Sequence, residues 1–100
     1  MPQAARTTDP ISPHSPCSPE QCGPGSDNVI IQGLPAYRVT DNTVPHGIPQ
    51  PARGCVPHVT PLVKGSHNVI INNKPAGRVG DNHSCGVVVV SGSDKVIING

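Results

Sequence analysis

Short apolar runs of β-branched residues punctuate an otherwise polar chain, and three of them share a frame. Val29-Ile30-Ile31 follows Gly25-Ser26-Asp27-Asn28, Val69-Ile70-Ile71 follows Gly65-Ser66-His67-Asn68, and Val96-Ile97-Ile98 follows Gly92-Ser93-Asp94-Lys95. In the first two copies a short Asn- or Gly-containing turn leads into a second element, Pro35-Ala36-Tyr37-Arg38-Val39-Thr40-Asp41 or Pro75-Ala76-Gly77-Arg78-Val79-Gly80-Asp81. β-Branched runs joined by residues that tolerate positive φ read as β-hairpins. The third copy stops at Gly100 in the middle of its turn, and its second half stands at the other end of the chain as Pro2-Gln3-Ala4-Ala5-Arg6-Thr7-Thr8-Asp9. Arg-x-x-Asp aligns in all three copies. The expectation is an all-β, pseudo-threefold hairpin repeat in which Met1 and Gly100 meet and the terminal strands pair, removing two exposed sheet edges. Its expected core is the triplets at 29–31, 69–71 and 96–98 with Val39, Val79 and Val87 to Val90.

Composition narrows the picture further. With 13 Pro and 11 Gly in 100 residues, no segment is suited to a long helix. Tyr37 is the sole aromatic residue, and Leu34 and Leu62 are the only leucines. A single domain over residues 1–100 with so little large apolar surface needs a staple: a metal, disulfides or a partner subunit. A net charge of +1 supplies no field for a phosphate backbone, and one aromatic ring is no stacking platform, which speaks against nucleic-acid binding. No run approaches the length of a membrane span and the N-terminus lacks a signal-peptide pattern, so a soluble chain without an ordinary export signal is expected.

Each Arg-x-x-Asp is followed by a loop, and these loops carry most of the His and Cys. His14 lies five residues after Asp9, His46 lies five after Asp41, and the third loop holds His83 and Cys85 after Asp81. Threefold symmetry gathers them at one end of the body, and Cys55-Val56-Pro57-His58 leads toward the same end. Zinc takes four N or S ligands in closed structural sites. His14, His46, His58 and Cys85 are the candidate set, with His83 as a competitor. Iron suits the same donors. A catalytic zinc keeps a position open for water and uses a base, and the only Glu is Glu20. Cys17 and Cys22 are candidates for a disulfide, while Cys55 either supports the metal or stays a thiol; four Cys allow three pairings that sequence does not choose among. The Arg6/Arg38/Arg78 and Asp9/Asp41/Asp81 sets, repeated in every copy, are expected to pair with the backbone or each other at the bend between strand and loop rather than to catalyse.

Pro-Ala-x-Arg-Val-x-Asp in two copies, the variant Pro2-Gln-Ala-Ala-Arg6, Gly-Ser-x-x-Val in three copies and Asp81-Asn-His-Ser-Cys85-Gly86 together resemble the proline-alanine-alanine-arginine (PAAR) repeat proteins. The resemblance spans essentially the whole chain, though Gln3 to Thr8 is more polar than the family pattern and the Cys17 to Cys22 segment is an insertion. It implies a small conical β domain that tips the spike of a type VI secretion system or a contractile phage tail. It also implies a base seated on a trimeric β-helical spike protein (VgrG, the valine-glycine repeat protein, or its phage counterpart), one tip per trimer, and an apical Zn2+ held by three His and one Cys. His14, His46, His58 and Cys85 match that ligand set. Leu34, Lys74 and Gly100, at equivalent hairpin turns, are the expected spike contacts. Such a tip is non-enzymatic, touches the target membrane transiently, carries any effector noncovalently since no toxin segment accompanies the repeats, and assembles in the bacterial cytoplasm before export with the spike, or in the phage baseplate. A zinc-dependent hydrolase and a small zinc-binding nucleic-acid module are the competing readings.

Overall fold

Two tight turns shape the first hairpins. In a computed structural model that describes residues 2–99, Gln32 (φ 48°) and Gly33 (φ 80°) join β1 (Ile30–Ile31) to β2 (Leu34–Pro35). Asn72 (φ 53°) and Asn73 (φ 67°) join the later pair, Ile70–Ile71 and Lys74–Pro75. Two consecutive residues at positive φ give the turn whose twist matches that of antiparallel strands. Ahead of each strand, the serine hydroxyl of the Gly-Ser pair accepts main-chain N–H groups: Ser26 from Asn28 and Val29, Ser66 from Asn68 and Val69, Ser93 from Lys95 and Val96. The small polar side chain thereby fixes the entry bend in all three copies.

The two ends of the chain complete the third hairpin. Gln3 bridges Ile97, the Ala4 N–H donates to the Val96 carbonyl at 2.9 Å, and the Ile98 N–H donates to Pro2 at 3.0 Å. The same closing bond runs from Ala36 to Val29 and from Ala76 to Val69, each at 2.9 Å. Met1 and Gly100, including the expected spike contact at Gly100, lie outside the described residues.

Hydrogen bonds then pass around a pseudo-threefold axis. Ala5 donates to Gly77, Gly77 to Tyr37, and Tyr37 back to Ala5, at 2.8–3.0 Å. A second ring runs from Thr7 to Pro35, from Val39 to Pro75 and from Val79 to Gln3, all at 2.9 Å. The two rings run in opposite senses, so each hairpin donates to and accepts from both neighbours, and neither ring has an unpaired edge. The glycine of Gly-Ser is explained by the same crowding: a Cβ on Gly65 would sit 2.7 Å from the Ala76 carbonyl oxygen, and one on Gly25 or Gly92 would overlap the carbonyl of Ala36 or Ala4.

The apolar triplets are only partly core. Ile31, Ile71 and Ile98 point inward and pack with Ala4, Ala36 and Ala76, while Val29, Val69 and Val96 are half-buried against them. Ile30, Ile70 and Ile97, expected inside, face outward with 57%, 56% and 45% of their surface exposed. The reason is the period of two: within an extended run, neighbouring side chains take opposite faces. Val87 and Val89 are likewise buried while Val90 is exposed. Above this layer a second cluster holds Ala5, Ile11, Cys22, Tyr37, Leu62, Val87 and Val89.

Arg-x-x-Asp fixes the bend that leaves the hairpins. Asp9, Asp41 and Asp81 each take two bonds from the guanidinium of Arg6, Arg38 or Arg78 and one from that arginine's own N–H, at 2.8–3.0 Å. The residue before each aspartate, Thr8, Thr40 or Gly80, has φ of 74°, 81° or 92°. The chain next passes through Ile11, Thr43 or His83, loops, and returns through Cys22, Leu62 or Val89, whose N–H groups donate to the Asp9, Asp41 and Asp81 carbonyls. The loops between differ in length. The middle one, residues 44–61, contains an unexpected hairpin of β3 (His46–Gln50) and β4 (Gly54–His58); the later pair is therefore β5 and β6. The body measures 43 × 24 × 22 Å.

Candidate metal centre

The β3–β4 hairpin sets the first two imidazoles. His46 and His58 are paired in register at its foot, which puts their side chains on one face. Their Nε2 atoms lie 2.8 Å apart. His14, from the first loop, brings its Nε2 to 3.1 Å from that of His58 and stacks on His46 with ring centroids 5.2 Å apart. Cys85, from the third loop, places Sγ 3.6 Å from His46 Nε2 and 3.1 Å from Thr60 Oγ1. The four donor atoms all lie within 4.8 Å of one another. Every repeat contributes, as the position of these residues after Arg-x-x-Asp predicts, and the fourth donor comes from β4.

The surroundings suit a cation. His46 is buried, and its Nδ1 faces the Val44 carbonyl at 3.2 Å and Thr43 Oγ1 at 3.0 Å. A carbonyl only accepts, so Nδ1 carries the proton and Nε2 turns a lone pair toward the cluster. Burial, and next the neighbouring His46, hold His14 below the usual histidine range; burial followed by His46 and His14 does the same to His58. Three imidazoles and a cysteine sulfur crowded this closely form a cluster of donor atoms that suits a divalent cation. The donor set fits zinc and other borderline-soft metals, and no base or open position stands out among the four.

His83 takes no part. It occupies the threefold position of Ile11 and Thr43 and is fully buried. Its Nδ1 donates to the Val87 carbonyl at 3.0 Å, and its Nε2 lies 2.9 Å from the Tyr37 hydroxyl, which is also 3.0 Å from the Asp41 carbonyl. Burial pushes its proton affinity down and that of the Tyr37 hydroxyl up in pKa.

The cysteines pair differently from the expectation. Cys17 forms a disulfide with Cys55, so Cys17 and Cys22 are not joined and Cys55 is neither a metal ligand nor a free thiol. Cys22 sits at the return position shared with Leu62 and Val89, where its N–H donates to Asp9 and its side chain enters the core. Burial raises its pKa far above the ordinary thiol value. Signals for this were present in the chain: Cys22, Leu62 and Val89 each stand three residues before a Gly-Ser pair. Thr43 and Thr60, which touch the cluster from outside, gave no such signal. Leu34 and Lys74 are half-buried at equivalent strand positions beside their turns.

A comparison with curated proteins finds no match. A family model described as the PAAR motif matches residues 55–100, which contain two of the Gly-Ser frames, one Pro-Ala-x-Arg segment, His58 and Cys85. The same hydrogen-bonded frame extends to the hairpins and Arg-x-x-Asp bends that lie outside the matched residues. Residues 55–100 are thus similar to the PAAR motif, and the repeated architecture carries the same frame through the rest of the chain.

Proposed function

We propose that this protein is the structural tip of a secretion or phage-tail spike, seated on a trimeric β-helical spike protein of the VgrG kind or its phage counterpart, one tip per trimer. The observation that carries this reading is the closed pseudo-threefold frame with Ile30, Ile70 and Ile97 exposed at equivalent positions. One chain with three near-equal apolar contacts matches a true threefold end, while its unlike loops converge as a homotrimer's cannot. Leu34 and Lys74, beside the same turns, flank those contacts. His14, His46, His58 and Cys85 hold a structural Zn2+ that ties the loops of all three repeats together. The work of the tip is mechanical, with no catalytic step. Assembly in the producing cell followed by export with the spike, or incorporation in a phage baseplate, goes with this role, as does noncovalent carriage of an effector.

The test is co-expression with a trimeric β-helical spike protein and measurement of complex mass together with metal content. A complex of one chain per trimer with bound zinc is expected. A chain that stays free under conditions where a known tip binds overturns the reading.

A further inference from the structure

The loop that carries His14 has few anchors. Among the described residues, the hydrogen bonds of residues 13–19 are the Cys17 N–H to the His14 carbonyl and the contact of His14 with His58. The remaining tie is covalent, through Cys17 to Cys55. Both cysteines stand three residues from a metal-site histidine: Cys17 follows His14 through a hydrogen-bonded turn, and Cys55 precedes His58 on β4. The disulfide lies flat on Gly47 of β3, where a Cβ would sit 2.8 Å from that of Cys55. It therefore clamps the first loop to the hairpin that holds the other two imidazoles.

The clamp is reachable by solution thiols. A surface cleft lined by Pro16, Cys17, Pro45, Gly47, Cys55 and Pro57 opens onto it, and Cys55 is exposed. Cys22, by contrast, is sealed in the core, and Cys85 belongs to the metal cluster.

We propose that the Cys17–Cys55 bond is a redox latch on the metal site: closed, it presents His14 to His46, His58 and Cys85 and tightens metal binding; opened by reduction, it frees the first loop and weakens it. This rests on the metal-site reading above. Closure by a small-molecule disulfide proceeds by exchange. The Cys55 thiolate attacks one sulfur of the reagent and expels a thiolate; the Cys17 thiolate then attacks Cys55 Sγ and expels the second. The protein loses two electrons in total, the reagent gains them, and the two thiol protons end on the released thiolates or in solvent. A spike tip made in a reducing cytosol and delivered to an oxidising space would bind its metal more tightly after delivery.

The experiment is Zn2+ affinity by competition with a chromophoric chelator, on the full chain held in either reduced or oxidised glutathione. Its control is the Cys17→Ser/Cys55→Ser variant, and Co2+ absorption confirms Cys85 ligation. Loss of a pre-organising contact outside the ligand shell weakens metal sites about 10- to 100-fold, and a drop of that order on reduction is expected. The double variant is expected to match the reduced protein in both buffers. Equal affinity of the wild-type chain in the two buffers overturns the latch while leaving the metal site standing. Absence of metal binding in both buffers overturns the metal-site reading and the latch with it.

Discussion

His46 and His58 are opposed across β3 and β4, and their Nε2 atoms approach to 2.8 Å at the point where the hairpin meets the repeat body. The pairing makes the hairpin foot half of the candidate metal cluster, and the other half comes from loops of the two remaining repeats. Convergence of the four donor atoms is therefore coupled to threefold packing: they meet only if all three repeats are docked.

Chelation is accordingly expected to destabilise the protein. With free zinc at about 100 times its Kd, binding adds about 2.7 kcal/mol. For a domain of this size that corresponds to ~10–20 °C in Tm. Calorimetry with and without a chelator checks this, and His58→Ala, which removes a ligand from β4, should no longer respond to chelation. An unchanged Tm after verified metal removal contradicts the site.

Acid should unfold the metal-free chain. His14, His58 and His83 are all lowered from 6.5, chiefly by burial. As pH falls through about 6.5 the unfolded chain takes up protons before the folded one does, so their contribution is intact above that pH and is lost below it. Tm in chelator is expected to fall from about pH 7.5 to about pH 5.5, and to fall less in a His14→Gln/His58→Gln variant. Equal slopes in the two proteins would assign the acid sensitivity elsewhere.

Asp81→Ala should be among the most damaging single changes. It strips Arg78, 7% exposed, of a bidentate partner that is itself 2% exposed, and an orphaned buried charge costs about 3–5 kcal/mol. Lys95→Ala, at an exposed position, should change stability by no more than about 0.5 kcal/mol. Urea denaturation compares the two directly.

The outward isoleucines separate folding from docking. An Ile30→Asp/Ile70→Asp/Ile97→Asp variant should keep its thermal transition within a few degrees and its metal, because these side chains are solvent-exposed, yet lose co-purification with the trimeric spike. Retained binding by the folded variant would move the contact surface elsewhere.

The repeat frame was legible along the chain because its rules are local. Gly-Ser before a β-branched triplet, positive-φ residues at the turn and Arg-x-x-Asp at the bend each act within a few residues, and the unfinished third copy implied the pairing of the terminal strands, which the structure makes through Ala4 and Val96. Three of the four candidate donors, His14, His46 and Cys85, were legible for the same reason, since they stand four or five residues after that bend, while His58 follows no such spacing. Tertiary structure alone decided which partner each residue met across the loops. Cys17 reaches Cys55 rather than Cys22, because Cys22 is committed to the core position of Leu62 and Val89, and His83 joins Tyr37 because it fills the place of Ile11 and Thr43. Loops of unequal length carry no periodic signal, so their contacts are set by the geometry of the frame they close over.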